Sequence, residues 1–265
     1  MKAAAFDYVA PRDVPDALKA LGSEGAKLIA GGQSLGPMLN LRLVRPRLLI
    51  DISRIDALRA VEPRGGKLWI GAAVTHATIE DKLDGMLGVV ASGIAYRSIR
   101  NRGTIGGSLA HADPAADWPL ALAALDGNVQ LVGTAGRRQV PADRFMLGAF
   151  TTALAEAEMI EGIEVSMPSA AARWGYYKFC RKTGEFPEAS AAVLLDPERR
   201  VARIFLGALD GPPKRCEALE QQVAARQALS PEDIAETLAG VEIEAAARRM
   251  HGAALARAVR QAIGS

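Results

Sequence analysis

The stretch NRGTIGGSLAHADPAAD, from Asn101 to Asp117, sets three glycines, a threonine and a serine ahead of two short acidic steps. Backbone N–H groups converge on an anion only where the chain turns sharply and no side chain blocks its approach. Paired glycines meet both needs, and flanking hydroxyls add donors. A near echo, IAGGQSLGP, runs from Ile29 to Pro37. Neither stretch is the dinucleotide fingerprint GxGxxG, and neither carries the Gly-Lys-Ser/Thr of a Walker loop. Each alone reads as well as a plain turn. Together, on separate units, they suit a phosphate-bearing ligand, because a diphosphate presents anionic oxygens on two sides.

Outward from these motifs the chain alternates strand and helix signals. AAFDYVAP, AKLIAGG and RLLIDIS read as strands. DVPDALKALGSEG reads as a helix with Asp13 as N-cap, and SLGPMLNLRLVRP as a short helical segment closed by Pro46. From Ile55 to Ser166 the pattern is α+β. KLWIGAAVT is a strand, His76 to Leu83 a helix, LGVVASGIAYRSI a helix leading into the glycine loop, and DWPLALAALDG a helix ending at Gly127. NVQLVG and RRQVPADRF form a hairpin around TAG, and EMIEGIEVSMP is a strand closed by Pro168. A boundary falls at Pro168–Arg173. Beyond it RWGYYKFCRK, EASAAVLLD and VARIFLGAL read as three antiparallel strands. Helices follow at CEALEQQVAARQAL, at SPEDIAETLAG with Ser230 as N-cap, and at the C-terminal stretch, with a break at Gly252.

Bulk properties narrow the function classes. The 265 residues carry 32 basic and 30 acidic side chains, a net charge of +2, which gives no whole-molecule field to recruit nucleic acid or an anionic membrane. Aromatics at 5% supply few stacking platforms for single strands. No apolar run is long enough to span a bilayer, and the N-terminus lacks a signal-peptide core. The two cysteines, Cys180 and Cys216, read as free thiols in a reducing cytoplasm. An iron–sulfur cluster takes about four cysteine ligands, so this chain cannot hold one alone.

AGGQSLGPMLNLRLVRPRLLIDIS together with IRNRGTIGGSLAHADPAADWP resembles the FAD-binding medium subunit of the molybdenum hydroxylases, the carbon monoxide dehydrogenase and xanthine dehydrogenase relatives. The resemblance covers essentially the whole chain. It implies an α+β fold: a two-part FAD domain of the para-cresol methylhydroxylase type over residues 1–168 (parts 1–54 and 55–168). A C-terminal domain over 173–265 follows, a three-stranded antiparallel sheet with a helical bundle. Carried over by position, Ala30, Gly31, Gly32, Gln33, Ser34 and Leu35 form the first FAD loop, mostly through backbone amides at the pyrophosphate. Thr104, Ile105, Gly106, Gly107 and Ser108 form the second. Asp117 falls where a carboxylate meets the ribityl hydroxyls, with Asp113 nearby. Lys178 matches a lysine that approaches the flavin, Ile160 an apolar residue against it, and Glu185 and Phe186 lie near where the ring is covered.

By the same resemblance, a large molybdopterin subunit oxidises the substrate and a small iron–sulfur subunit relays electrons to this chain's FAD, in a dimer of heterotrimers. The flavin passes them to an external acceptor. Two other readings stay open: a stand-alone FAD-dependent oxidoreductase of the same fold, and a non-catalytic nucleotide-binding module. The remaining tempting residues have plain readings. His111 lacks a triad partner and reads as structural, His76 belongs to a strand–helix junction, and His251 is a helix residue. Asp117 reads on its own as a helix N-cap. Gly71 to Thr75 are expected to line the ligand cleft. Three scattered histidines and two distant cysteines make no metal site.

Overall fold

In the computed structural model, which describes residues 2–225 and 227–264, residues 7–51 wind a small parallel sheet. Strands β1 (Asp7–Val9), β2 (Ala26–Ile29) and β3 (Leu48–Asp51) pair in the order β1-β3-β2, with α1 (Val14–Leu21) and α2 (Leu35–Asn40) as the crossovers. Asp13 caps α1: its carboxylate accepts from the Asp16 amide at 2.9 Å, with Pro15 in the first turn. Val14 and Ala17 turn inward onto Ile50, Ile52, Ile55 and Leu58. Strand β2 is a sheet edge, and it runs directly into the first glycine motif.

The second unit opens with β4 (Val61–Arg64) and β5 (Lys67–Gly71). Helices α3 (His76–Lys82), α4 (Gly85–Ser92), α5 (Arg97–Arg100), α6 (Ile105–His111) and α7 (Asp117–Ala124) follow. The hairpin β6 (Asn128–Gly133) and β7 (Gly136–Pro141), a helical turn α8 (Ala142–Phe145), the short ribbon β8 (Met146–Gly148) and β9 (Thr151–Thr152), and the long β10 (Glu158–Ser166) complete it. The sheet is antiparallel in the order β4-β5-β10-β6-β7. No strand is legible at β4 because Pro63 interrupts it; at a sheet edge the missing donor costs nothing. The hairpin's second strand stops at Pro141, so ADRF is a turn of helix instead of strand.

The third unit is the antiparallel sheet of β11 (Arg173–Phe179), β12 (Ala189–Asp196) and β13 (Val201–Gly207). A fourth strand, β14 (Lys214–Arg215), extends the three expected ones. Helices α9 (Glu217–Ala224), α10 (Pro231–Ala239) and α11 (Ala245–Ile263) close the chain. Strand β12 is buried along its whole length, and its side chains alternate between two cores. Ala192 and Leu194 join the core of the second unit, while Ala191 and Val193 face α11. Helix α7 explains this. Its sequence, DWPLALAA, is apolar on every side but one, and all of it is buried. It packs against α4, α6 and α8 on one side and against β12 and β13 on the other.

Three local expectations change. LGVVASGIAYRSI is two helices, broken at Gly93–Ala95 where Ala95 adopts φ +44°. The carbonyls freed by the break are taken by side chains: Arg100 donates to Ile94 O (3.0 Å) and Ala95 O (2.9 Å), and Lys178 to Gly93 O (2.7 Å). Helix α11 runs unbroken through Gly252. That glycine serves the crossing of α10 instead, since a Cβ would lie 3.1 Å from Ile234. TIGGS is not a loop but the first turn of α6, capped by Thr104, whose Oγ1 accepts from the Gly107 amide at 3.1 Å.

Candidate functional site

The first motif leaves the edge strand β2 and turns into α2. Gly32 has φ +70°, a left-handed angle that favours glycine. Gly31 answers a different need: a Cβ there would overlap the Arg102 carbonyl oxygen and lie 2.8 Å from Gly103 Cα. The backbones of the two motifs therefore touch at Gly31. Ser34 stands at the N-cap of α2 with no side-chain capping bond. Among the described residues, the amides from Ala30 to Leu35 donate to no protein acceptor. A run of free N–H groups on a glycine turn is the donor set that an anion needs.

The second motif is built otherwise. The Ile105 amide donates to Val74 O (3.1 Å), Gly106 to Ala72 O (3.0 Å) and Ser108 to Thr104 O (3.0 Å). With the Gly107 amide on the Thr104 hydroxyl, this row of N–H groups is fully engaged within the protein. A Cβ at Gly106 would sit 2.6 Å from that of Ala72, so this glycine permits helix α6 to press on the end of β5. From Ile105 to Ser108 the second motif is thus a wall whose amides are engaged. The Thr104 amide alone has no acceptor among the described residues, and the longer run of free donors lies in the first motif.

A buried polar chain links the wall to the third unit. The His76 amide donates to Gly103 O at 2.9 Å, and His76 Nδ1 accepts from Trp118 Nε1 at 3.1 Å. Burial, with the nearby Arg100 charge, pushes the His76 pKa down to about 4. The ring is therefore neutral at pH 7 and carries its proton on Nε2. Next to Trp118, Asp117 opens α7 without capping it; its carboxylate turns to β11. Tyr176 donates to Asp117 Oδ1 at 2.5 Å, and Lys178 Nζ lies 3.1 Å from Oδ1 and 3.3 Å from Oδ2. Desolvation raises the Asp117 pKa, opposed first by Lys178 and then by the Tyr176 hydrogen bond. Burial and the adjacent Asp117 carboxylate raise the Tyr176 phenol well above its ordinary range.

An open cleft of about 240 Å³ lies where the two motifs meet. Ala30, Gly31 and Thr104 line it, as do Ala73 and Thr75 from the stretch expected there. Sequence reasoning missed Ser53, Arg54, Arg59, Asn101 and Arg102 on its walls. Other expected residues stand apart from this cleft. Ile160 is buried in the main core. Asp113 accepts from the Ala115 amide at 2.9 Å, fixing the turn before α7. Glu185 and the exposed Phe186 ride the loop between β11 and β12, which rests on the Ala95 carbonyl through Gly184. His111 packs on Phe150 with ring centroids 5.2 Å apart. His251 is buried between the carbonyls of Ala247 and Gly207. Burial pushes the Cys216 thiol up to about 12, which leaves it inert. Among the described residues no helix is long and apolar enough to cross a membrane, and no His, Cys, Asp and Glu cluster could hold a metal.

Residues 4–168 match a family described as the FAD binding domain in molybdopterin dehydrogenase. The nicotine 6-hydroxylase medium subunit of Paenarthrobacter nicotinovorans is 39% identical over 241 residues, which cover 88% of this chain and 84% of that one. The carbon monoxide dehydrogenase medium chain of Hydrogenophaga pseudoflava is 41% identical over 198 residues, 72% of this chain and 69% of its own. Among solved structures, the carbon monoxide dehydrogenase of Hydrogenophaga pseudoflava that lacks the Mo-pyranopterin moiety superposes with a TM-score of 0.90 at 34% identity. It covers 100% of this chain and 99% of that one. Quinoline 2-oxidoreductase from Pseudomonas putida 86 gives a TM-score of 0.89 at 29% identity, with the same coverage.

Proposed function

The chain belongs to the family of FAD-binding domains of the molybdopterin dehydrogenases, and from that premise we propose that it carries the flavin through which electrons leave the complex. It is a FAD-binding subunit of a multi-subunit dehydrogenase. In the proposed assembly a small iron–sulfur subunit and a large molybdopterin subunit complete a heterotrimer, two of which pair. The domain division follows residues 1–168 and 173–265.

The observation that carries the reading is the run of free amides from Ala30 to Leu35 at a glycine turn that a Cβ would block. That donor set fits the diphosphate of FAD. Asp117 Oδ1 already receives Tyr176 and Lys178, whereas Oδ2 receives only the longer Lys178 bond. In this reading Oδ2 is the oxygen that accepts from a ribityl hydroxyl. Lys178, its side chain only 11% exposed, holds a positive charge beside that carboxylate. Trp118 and His76 fix the wall at Gly103 so that the cradle keeps its width. FAD, when bound, takes and gives electrons singly or in pairs, which suits a carrier between one-electron clusters and an external acceptor. With two cysteines the chain cannot supply those clusters.

Acid release and chromatography of nucleotide from the purified chain should yield FAD; FMN alone would sink the reading. Mixed with the reduced iron–sulfur product of a neighbouring gene, the flavin absorbance of the chain should bleach. Bleaching by an oxidisable substrate with no partner present would instead favour a stand-alone enzyme.

A further inference from the structure

Several of the described arginines are matched to carboxylates. Arg97 meets Glu80 and Asp81, Arg137 meets Glu161, Arg138 meets Glu158, and Arg203 meets Asp126 and Asp143. The cleft between the motifs gathers three exposed arginines that are not so matched. Arg54, Arg59 and Arg102 all line it, and among the described residues none of them has a carboxylate within ion-pair distance. Arg102 makes a single long bond, Nε to Gly31 O at 3.4 Å. Arg54 is near enough to Asp51 to help hold that carboxyl low. The Asp51 oxygens are nevertheless occupied by the Tyr8 hydroxyl (2.6 Å) and the Ser53 amide (2.8 Å).

Like charges gathered in one concavity raise the free energy of the fold, and they persist where an anion offsets them. Of the free amides, those of Ala30 and Gly31 belong to residues lining the same cleft, so hydrogen-bond donors and net positive charge coincide there. We propose that Arg54, Arg59 and Arg102 are ligand-binding residues, a guanidinium clamp on a nucleoside diphosphate group, and that they set the preference for FAD over a flavin monophosphate. The proposal rests on the FAD reading above. Two of the three follow β3 and the third precedes α6, so the clamp is assembled from both units. Guanidinium suits the task because its planar fork bonds phosphate oxygens in pairs and stays charged at every working pH. A monophosphate reaches the amides but engages only part of the clamp, and an ADP fragment engages all of it.

The test uses the flavin-free full chain, titrated with FAD, FMN and ADP, beside the double variant R54Q/R59Q and the single variant R102Q. In the wild type, ADP should compete with FAD and AMP should compete poorly. Each guanidinium removed should weaken FAD and ADP binding about tenfold, with a smaller loss for FMN. The melting temperature of the flavin-free double variant at low salt should equal or exceed the wild-type value, since a repulsion has been removed. Wild-type FAD and ADP affinity in R54Q/R59Q would overturn the clamp, and so would a lowered melting temperature of the flavin-free variant, which marks the arginines as structural. A wild-type chain that binds ADP but not FAD would keep the clamp and refute the flavin reading. A chain that binds neither refutes both.

Discussion

Replacing Gly31 by alanine tests the cradle most directly, because the added carbon meets backbone and not a yielding side chain. The Cβ would overlap the Arg102 carbonyl oxygen and lie 2.6 Å from its carbonyl carbon, where ordinary contact begins at 3.4 Å. The two motifs must therefore separate by about 0.8 Å or more (3.4 less 2.6) at that point. Over-packing of this kind costs the fold about 1–3 kcal/mol. The cost to the ligand is larger. A hydrogen bond to a charged group is worth about 1.5–3 kcal/mol, and a shift of this size at Gly31 removes two amide contacts to the diphosphate. The loss of about 3–6 kcal/mol corresponds to two to four powers of ten in Kd. Gly36→Ala is the matched control. It lies one turn further on in α2, and a Cβ there meets nothing within 4 Å. FAD titration of the flavin-free proteins, followed by flavin fluorescence, supplies the affinities, and melting with and without FAD separates folding from binding. The reasoning fails if Gly31→Ala binds FAD within about threefold of wild type while Gly36→Ala does the same.

Three further outcomes follow from the geometry. Gly107→Val should lower the stability of the flavin-free chain by about 1 kcal/mol or more through loss of the Thr104 cap, with less effect on FAD affinity than Gly31→Ala; equal affinity losses would restore the second motif as an amide cradle. His76 is held neutral with its pKa lowered to about 4, so its contribution is complete above the ordinary value of 6.5 and is lost as pH falls toward 4. That loss is worth about 3 kcal/mol. His76→Asn keeps an acceptor for Trp118, and its melting temperature should fall less steeply over that window; an unchanged slope would refute the assignment. Asp117→Asn leaves the Lys178 charge buried against a neutral partner and should cost about 3–5 kcal/mol, recovered in part by adding Lys178→Met. Full additivity of the two substitutions in denaturant unfolding would show that the pair does not interact.

Much of the architecture was legible because its signals are local. Asp13 and Ser230 cap where their residue types say they should, and β12 is an apolar run bounded by turns. The misses share another cause, a tertiary contact that outweighs a local preference. Gly93 to Ala95 interrupts a good helical pattern because Lys178, distant in sequence, and Arg100, on the next helix, take the released carbonyls. Gly252 breaks nothing because it lies inside a helix crossing. At the site, the amides of the two glycine motifs look alike in sequence and differ only in what lies opposite. Ala72, Val74 and Thr104 take the amides of one set from Ile105 to Ser108, and no protein acceptor among the described residues meets the other. Arg54 and Arg59 carried no motif at all. What sets them apart is the cleft that they share with Arg102, a residue of the other unit, and a sequence does not display such a meeting in space.

Strand β12 has no outward face: alternate side chains belong to the core around α7 and to the core beneath α11. Cutting the chain at residue 168, where the family match ends, would strip β12 and β13 from α7 and expose a helix whose one polar side chain is Asp117. The fragment that retains both glycine motifs would therefore be an aggregation-prone remnant, not a minimal flavoprotein. The second and third units should melt as one cooperative body, and homologous recombination within this family should exchange them together.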